Sequence, residues 1–153
     1  MRPSLAALTL ALTLLAAHAA AATIEIRDAW IRSTPPGAPT AAGYAVIVNH
    51  GPATDRLLEG HTDAATSVIP HQMTTAGGIM RMRPIPGGLA IGASATVALG
   101  PNGDHLMLLG LKRPLKAGQH VRIVLDFSRA GAVPVDFAVR DTAPGGAMPG
   151  MHM

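Results

Sequence analysis

The chain has 153 residues, of which 48% are hydrophobic, 14% charged and 3% aromatic, with a formal net charge of +3 and no cysteine. Its length favours one domain, and its low charge, 17 glycines and 13 prolines argue against a coiled coil or a long helical bundle. The missing cysteines exclude disulfides, zinc ribbons, iron–sulfur clusters and thiol catalysis, and the absence of a Lys/Arg cluster longer than a pair argues against nucleic-acid binding.

Residues 1–22 have the features of a secretory signal peptide. Arg2 supplies a positive charge, and Leu5 to Ala17 form an apolar run that is too short to span a bilayer. Ala17-His18-Ala19 fits the small-x-small cleavage pattern, and a second option follows at Ala20 to Ala22. We therefore expect export, cleavage near Ala19 to Ala22, and no stable membrane insertion after cleavage.

The rest of the domain, residues 23–142, has the pattern of short β-strands. In Val121–Phe127 and Val133–Val139, apolar residues recur at every second position, as in half-buried strands. Ser128–Ala132 between them contains a glycine and has the length of a hairpin turn. Further candidate strands, separated by Gly/Pro turns, are Ile24–Arg32, Gly43–Asn49, Arg56–His61, Ser67–Met73, Ile79–Pro84, Ala95–Leu99 and His105–Leu111. With no amphipathic helix of ten or more residues, the pattern predicts an all-β sandwich or barrel of mainly antiparallel strands.

Methionine and histidine are concentrated in the middle of this domain. His71 is followed after ten residues by Met82 and, after 22 more, by His105-Leu106-Met107. Because alternate residues of a strand point to one face, His105 and Met107 can reach one metal ion while Leu106 faces the core. Met80 and Met82 share a face for the same reason. Two neighbouring strands could thus supply two imidazoles and two thioethers to one site.

Ligand chemistry restricts the metal that such a site would take. Thioether sulfur is soft and imidazole is borderline, a combination that suits Cu(I), whereas zinc is bound by Cys, His and carboxylates. The alternative is that these residues pack in the core, because methionine is a common core filler. The spacing leaves both readings open. Met73 is expected to pack, or to serve as a stand-by ligand near His71, and His50, His61 and His120 are expected to be solvated.

Several segments resemble the periplasmic copper chaperones of the PCu(A)C family, over about Ile24 to Arg140. The most specific of them are His71, Met80-Arg81-Met82-Arg83-Pro84 and His105-Leu106-Met107-Leu108. The others are Asp28-Ala29-Trp30-Ile31-Arg32, Ala42-Gly43-Tyr44, Asn49, Asp55-Arg56-Leu57, Gly110-Leu111-Lys112, Pro114-Leu115-Lys116 and Gly118. Gln72-Met73 and Asp104, which flank the two histidines, are local differences from relatives.

The resemblance implies a cupredoxin-like β-fold and a Cu(I) site with His71, Met82, His105 and Met107 as ligands. It also implies a periplasmic protein that carries copper toward the copper centre of cytochrome c oxidase. The partner would be the copper-bearing subunit of the oxidase or another copper chaperone.

Residues 143–153 differ in composition from the β-domain and predict a flexible tail. Met148, Met151, His152 and Met153 lie in its last six residues and form a second candidate copper site, for Cu(I) or Cu(II). Because a flexible segment loses conformational entropy when it closes around an ion, we expect weaker binding there than in the core.

Other functions are less well supported by the sequence. We do not predict an enzyme, because no Ser-His-Asp spacing, phosphate loop or carboxylate pair stands out. A blue-copper electron carrier would need a cysteine thiolate. Two alternatives to a chaperone stay open: a periplasmic copper buffer or resistance protein, and a metal-free interaction module.

Overall fold

The computed structural model describes residues 23–141, and this part of the chain contains ten β-strands and no helix. Accordingly, none of the described residues forms a helix that could cross a membrane. The predicted signal peptide and tail lie outside the described residues. The strands are β1 Ile24–Arg32, β2 Thr40–Asn49, β3 Asp55–His61, β4 Ala65–Ala76, β5 Ile79–Pro84, β6 Leu89–Ile91, β7 Thr96–Ala98, β8 His105–Leu111, β9 His120–Phe127 and β10 Gly131–Arg140.

Seven of the strands close into a barrel in the order β4-β8-β2-β1-β10-β9-β3, with β3 pairing back onto β4. The pairing of β1 with β10 is parallel, and the other pairings around the ring are antiparallel. β5, β6 and β7 lie outside the ring and pair with β4, β3 and β2. The predicted all-β fold is therefore confirmed, and it takes the barrel form.

The alternation of the sequence places one face of each strand in the barrel core. Leu106 and Leu108 of β8 and Ile123 and Leu125 of β9 are completely buried, as expected for the apolar positions of a period-2 pattern. Val68 of β4 lies opposite Leu108 and is equally buried. Residues between these positions, such as His105 and Met107, must therefore point to the outer face of the sheet.

Closure of the barrel depends on a close approach at Gly60 of β3, which pairs with Val68 of β4. A Cβ atom at Gly60 would lie 3.0 Å from Ile123 Cγ2 and 3.2 Å from both Leu125 and Val68. A side chain there would push β3 away from β4, so glycine is needed where the first and last strands of the ring meet.

β4 is longer than the barrel requires, and its second half forms a hairpin that leaves the ring. Ala65 to His71 pair with β8, whereas His71 to Ala76 pair with β5. His71 is the residue at which the two pairings overlap. All six residues of β5 are exposed, and β5 is the terminal strand of the sheet order.

Asp55, the first residue of β3, anchors the turn between β9 and β10. Its carboxylate accepts hydrogen bonds from the backbone nitrogens of Arg56, Arg129 and Ala130 at 2.8–2.9 Å and from Ser128 Oγ at 3.0 Å. Burial by itself raises the pKa of Asp55, but these hydrogen bonds outweigh burial and hold the pKa below its ordinary value.

We predict that Asp55→Asn lowers the free energy of unfolding at pH 7 by about 1–3 kcal/mol, because the amide replaces a fully hydrogen-bonded carboxylate. A depressed folded-state pKa stabilises the fold above the unfolded value of about 3.9 and loses its effect as pH falls through the folded value. Denaturant unfolding should therefore show a gap between wild type and variant that narrows below about pH 4. A gap that does not change with pH would contradict this account. Asp136→Asn, an exposed control, should have a much smaller effect.

Candidate metal centre

His71 of β4 and His105 of β8 lie directly opposite each other on the outer face of the barrel. Their rings are stacked with centroids 5.9 Å apart and planes inclined by 28°. Although they belong to the outer face, both residues are buried, with 7% and 2% of their surface exposed. The structure thus brings together the two histidines that the sequence separates by 33 residues.

Backbone carbonyls fix the tautomer of both rings. His71 Nδ1 lies 3.0 Å from the carbonyl oxygen of Ile69, and His105 Nδ1 lies 3.1 Å from that of Gly103. A carbonyl oxygen can only accept, so each Nδ1 carries the proton and donates it. Each Nε2 is left with its lone pair available, which is how ligating histidines are usually oriented.

His105 Nε2 is buried and has no hydrogen-bond partner, and it is the one buried side-chain nitrogen or oxygen within residues 23–141 of which this is true. Leaving a buried polar atom unpaired costs about 1–3 kcal/mol, so such atoms are rare and call for an explanation. Every other buried polar side-chain atom of the described part is satisfied. A lone pair directed into a site that receives a metal ion is one explanation that also fits the tautomer.

The two predicted methionine ligands lie on the same face as the histidine pair. Met107 is two residues from His105 on β8 and is opposite Ile69, the residue two before His71. Met82 of β5 is opposite Met73, the residue two after His71. Each methionine is therefore a diagonal neighbour of His71 in the sheet, at a Cα separation that long side chains can span. Met107 is partly buried, whereas 52% of the surface of Met82 is exposed.

An aromatic pair continues this row on the other side of His105. Gly43 pairs with Leu106, so Tyr44 follows next to His105, and Tyr44 pairs with Trp30 of β1. The two aromatic rings have centroids 4.7 Å apart, and both residues are nearly buried. Burial raises the pKa of Tyr44, which the nearby charge of Arg32 partly offsets. The histidine pair thus has an apolar wall on one side, which limits access of water.

Trp30 reaches this row because of a β-bulge in β1. Arg27 pairs with Val46 and Trp30 with Tyr44, so two residues, Asp28 and Ala29, stand opposite one. Asp28 has a φ of 50°, a left-handed conformation that Asp tolerates better than most residues. The segment Asp28–Arg32 resembles the PCu(A)C family in sequence, but nothing in its local pattern indicates that it borders the candidate site.

The histidines expected to be solvated are all exposed. His50 lies 2.7 Å from a carboxylate oxygen of Glu25, whose pKa falls to about 2 through hydrogen bonds from Arg27 and His50. His61 lies 2.7 Å from Asp126 and 3.6 Å from Glu59, which stand opposite each other on β9 and β3. This cluster, in which Glu59 and His61 are exposed and Asp126 is partly buried, offers one nitrogen and two carboxylates, a harder donor set than that of the histidine–methionine face.

Comparisons with known proteins agree with this architecture. The family model described as "Putative lipoprotein LpqE-like" matches residues 24–139. The protein named "Putative lipoprotein Lxx21020" from Leifsonia xyli subsp. xyli is 33% identical over 118 residues, which is 77% of this chain and 70% of that protein.

Several solved structures are similar to this chain in both sequence and fold. The solution structure of CuI-DR1885 from Deinococcus radiodurans is 35% identical, with a TM-score of 0.60 over 76% of each chain. The apo form of DR1885 is 31% identical, with a TM-score of 0.60 over 93% of this chain and 95% of that chain. The copper-bound PCuAC domain from PmoF2 is 26% identical, with a TM-score of 0.64 over 80% and 94%. These matches confirm the predicted cupredoxin-like fold.

The unpaired nitrogen leads to a stability prediction for the metal-free protein. His105→Leu removes the buried Nε2 but also removes the hydrogen bond from Nδ1 to Gly103, and because these two effects oppose each other, the free energy of unfolding should change by less than about 1 kcal/mol. Denaturant unfolding of the metal-free protein measures this change. His120→Leu, which changes an exposed histidine, should leave the stability unchanged. A clear loss of stability in His105→Leu alone would show that His105 holds the fold together instead of being kept ready for a ligand.

Proposed function

The chain belongs to the LpqE-like family and is a copper-binding chaperone of the PCuAC type, and from this premise we propose that it carries one Cu(I) ion on His71, Met82, His105 and Met107. We further propose that it delivers this ion by ligand exchange toward the copper centre of cytochrome c oxidase. The partner would be the copper-bearing subunit of the oxidase or another copper chaperone.

The observation that carries the proposal is the buried, unpaired Nε2 of His105. It belongs to a ring whose tautomer is fixed by Gly103 and whose neighbour across the strand pair is a second histidine with the same orientation. The cost of keeping this nitrogen unpaired would be recovered when a metal ion binds.

The donor set supports monovalent copper over other ions. The four proposed ligands are neutral, so they would not neutralise the charge of the ion. The free energy of transferring an ion from water to a less polar site grows with the square of its charge, so a monovalent ion is far less costly here than a divalent one. Soft thioethers favour Cu(I) in addition, and they bind without releasing a proton.

The two sides of the site differ in exposure, and this difference suits a carrier. The histidines are almost completely buried, whereas Met82 is half-exposed. A partner that approaches from β5 could replace the thioether of Met82 first while the histidines still hold the ion. A storage protein without a client would not need an exposed ligand of this kind.

We propose that the protein works in the periplasm after removal of its leader. The description of the family model and the name of the Leifsonia relative both include the word lipoprotein. This sequence contains no cysteine that could carry such a lipid. The tail residues Met148, Met151, His152 and Met153 lie outside the described residues, and their role as a second copper site, for Cu(I) or Cu(II), stays a prediction.

The site is tested by substituting single ligands. Met82→Leu, Met107→Leu and His71→Ala should each weaken Cu(I) binding at least about tenfold, which corresponds to about 1.4 kcal/mol. Competition with a Cu(I) chelator under anaerobic conditions measures this affinity. Ile79→Leu, an exposed substitution in the same hairpin that removes no ligand, is the control. Equal affinity in wild type and all three ligand variants would refute the site.

Delivery to the oxidase is tested in cells. Deletion of the gene should lower cytochrome c oxidase activity at low copper, and added copper should restore it by mass action. Wild-type protein should complement the deletion, whereas the His105→Leu variant should not. An oxidase activity that does not respond to the deletion would favour the copper-buffer alternative.

A further inference from the structure

The β4–β5 hairpin exposes apolar side chains that the fold does not need. Of the four large hydrophobic side chains that are exposed within residues 23–141, three lie in β5: Ile79 at 56%, Met80 at 60% and Met82 at 52%. Two of these three are methionines. Apolar side chains that are this exposed bury little surface and contribute little to the stability of the fold. The concentration of methionines at this edge therefore calls for another explanation.

The strand register places three methionines together on the ligand face of this hairpin. Met73 of β4 lies directly opposite Met82 of β5. Met80 lies opposite Thr75, so it is a diagonal neighbour of Met73 and is two residues from Met82. Directly opposed residues have Cβ atoms about 4.5–5.5 Å apart, and diagonal neighbours are about 7–8 Å apart, with somewhat shorter distances between their Cβ atoms. Flexible methionine side chains can therefore bring three sulfur atoms to a common point.

This group lies between the histidine pair and the open edge of the sheet. Met73 is two residues from His71 on the same strand face, and β5 has no strand on its outer edge within the described part of the chain. Exposure rises from the buried histidines, through the partly buried Met73, to the exposed Met82 and Met80. An ion that leaves the histidines toward solvent on this side meets these sulfurs in turn.

We propose that Met73, Met80 and Met82 form a three-thioether transfer site for Cu(I), occupied while the ion moves between the histidine pair and a partner. The inference rests on the proposed function and adds two ligands to it, Met73 and Met80, neither of which belongs to the resting site. Met82 is shared by the two sites. In each step, a new Cu–S bond forms before a Cu–N or Cu–S bond breaks, so the ion stays Cu(I) and no electron or proton is transferred.

A purely structural role for the same residues makes a different prediction. Met73 opposite Met82 is also an ordinary apolar cross-strand pair. Leucine conserves the volume of methionine at low cost, so the double variant Met73→Leu/Met80→Leu retains the packing and removes only the sulfur. Any effect of this variant on copper that occurs without a change in stability therefore reports on the thioethers.

The decisive experiment uses the full chain loaded with one Cu(I) and mixed with excess bathocuproine disulfonate in a stopped-flow instrument. For Met73→Leu/Met80→Leu we expect an equilibrium Cu(I) affinity within about twofold of wild type, because the resting ligands are intact. Cu(I) transfer should be about tenfold slower, which corresponds to a barrier about 1.4 kcal/mol higher when two transfer ligands are removed. The matched control Ile79→Leu, in the same strand, should transfer copper at the wild-type rate.

Silver(I), a redox-inert analogue of Cu(I), provides a second measurement. With ¹³C-methyl methionine, the first equivalent should shift the Met82 and Met107 resonances of wild type. In His105→Leu, in which the resting site has lost a ligand, Ag(I) should instead shift the resonances of Met73, Met80 and Met82 together. An unchanged transfer rate in the double variant, or Met73 and Met80 resonances that never respond, would overturn the transfer site. A tenfold loss of equilibrium affinity would overturn it too, because the two methionines would then be resident ligands. Failure of wild type to bind Cu(I) at all would instead overturn the proposed function.

Discussion

The pairing of His71 with His105 is the constraint on which the candidate site depends. The two residues are far apart in the sequence and become neighbours only because β4 and β8 are antiparallel and in this register. A shift of β8 by one residue would turn His105 into the core and expose Leu106 and Leu108, and the two imidazoles would then lie on opposite faces of the sheet. The same hydrophobic pattern that holds the barrel together therefore also keeps the two rings on the outer face and opposite each other.

The β4–β5 hairpin lies next to the histidine pair and is held by fewer strand pairings than the closed ring. The ring of seven strands is closed, so its pairings leave no free edge, and Gly60 secures the junction. β4 then continues past the ring, and β5 pairs with this extension alone. The two imidazoles and Met107 thus lie on a fixed framework, whereas Met82 lies on an element with one open side. A copper carrier needs both properties, because it must hold an ion firmly and still release it.

The sequence predicted the strands with strong alternation well and the others less well. β1, β5 and β8 have the predicted bounds, and β9 and β10 extend one or two residues further at their ends. β6 was missed, because Leu89–Ile91 is too short to show a period. The start of β2 was placed at Gly43 instead of Thr40, because small residues such as Ala41 and Ala42 give a weak pattern. The spacing of His105 and Met107 by itself predicted that both side chains lie on one face of the same strand. The position of Met73 opposite Met82 needs the register of β4 with β5, which no local pattern specifies.

The row that contains the histidines also contains the single tryptophan of the chain. Trp30 packs against Tyr44, with the two rings tilted by 38°, and Tyr44 lies next to His105. The indole fluorescence of the protein therefore originates from one position, two strands from His105 and three from His71. The protein therefore has an intrinsic fluorophore near the candidate site. Tryptophan fluorescence could follow copper binding without a label, provided that any partner protein in the sample contains no tryptophan.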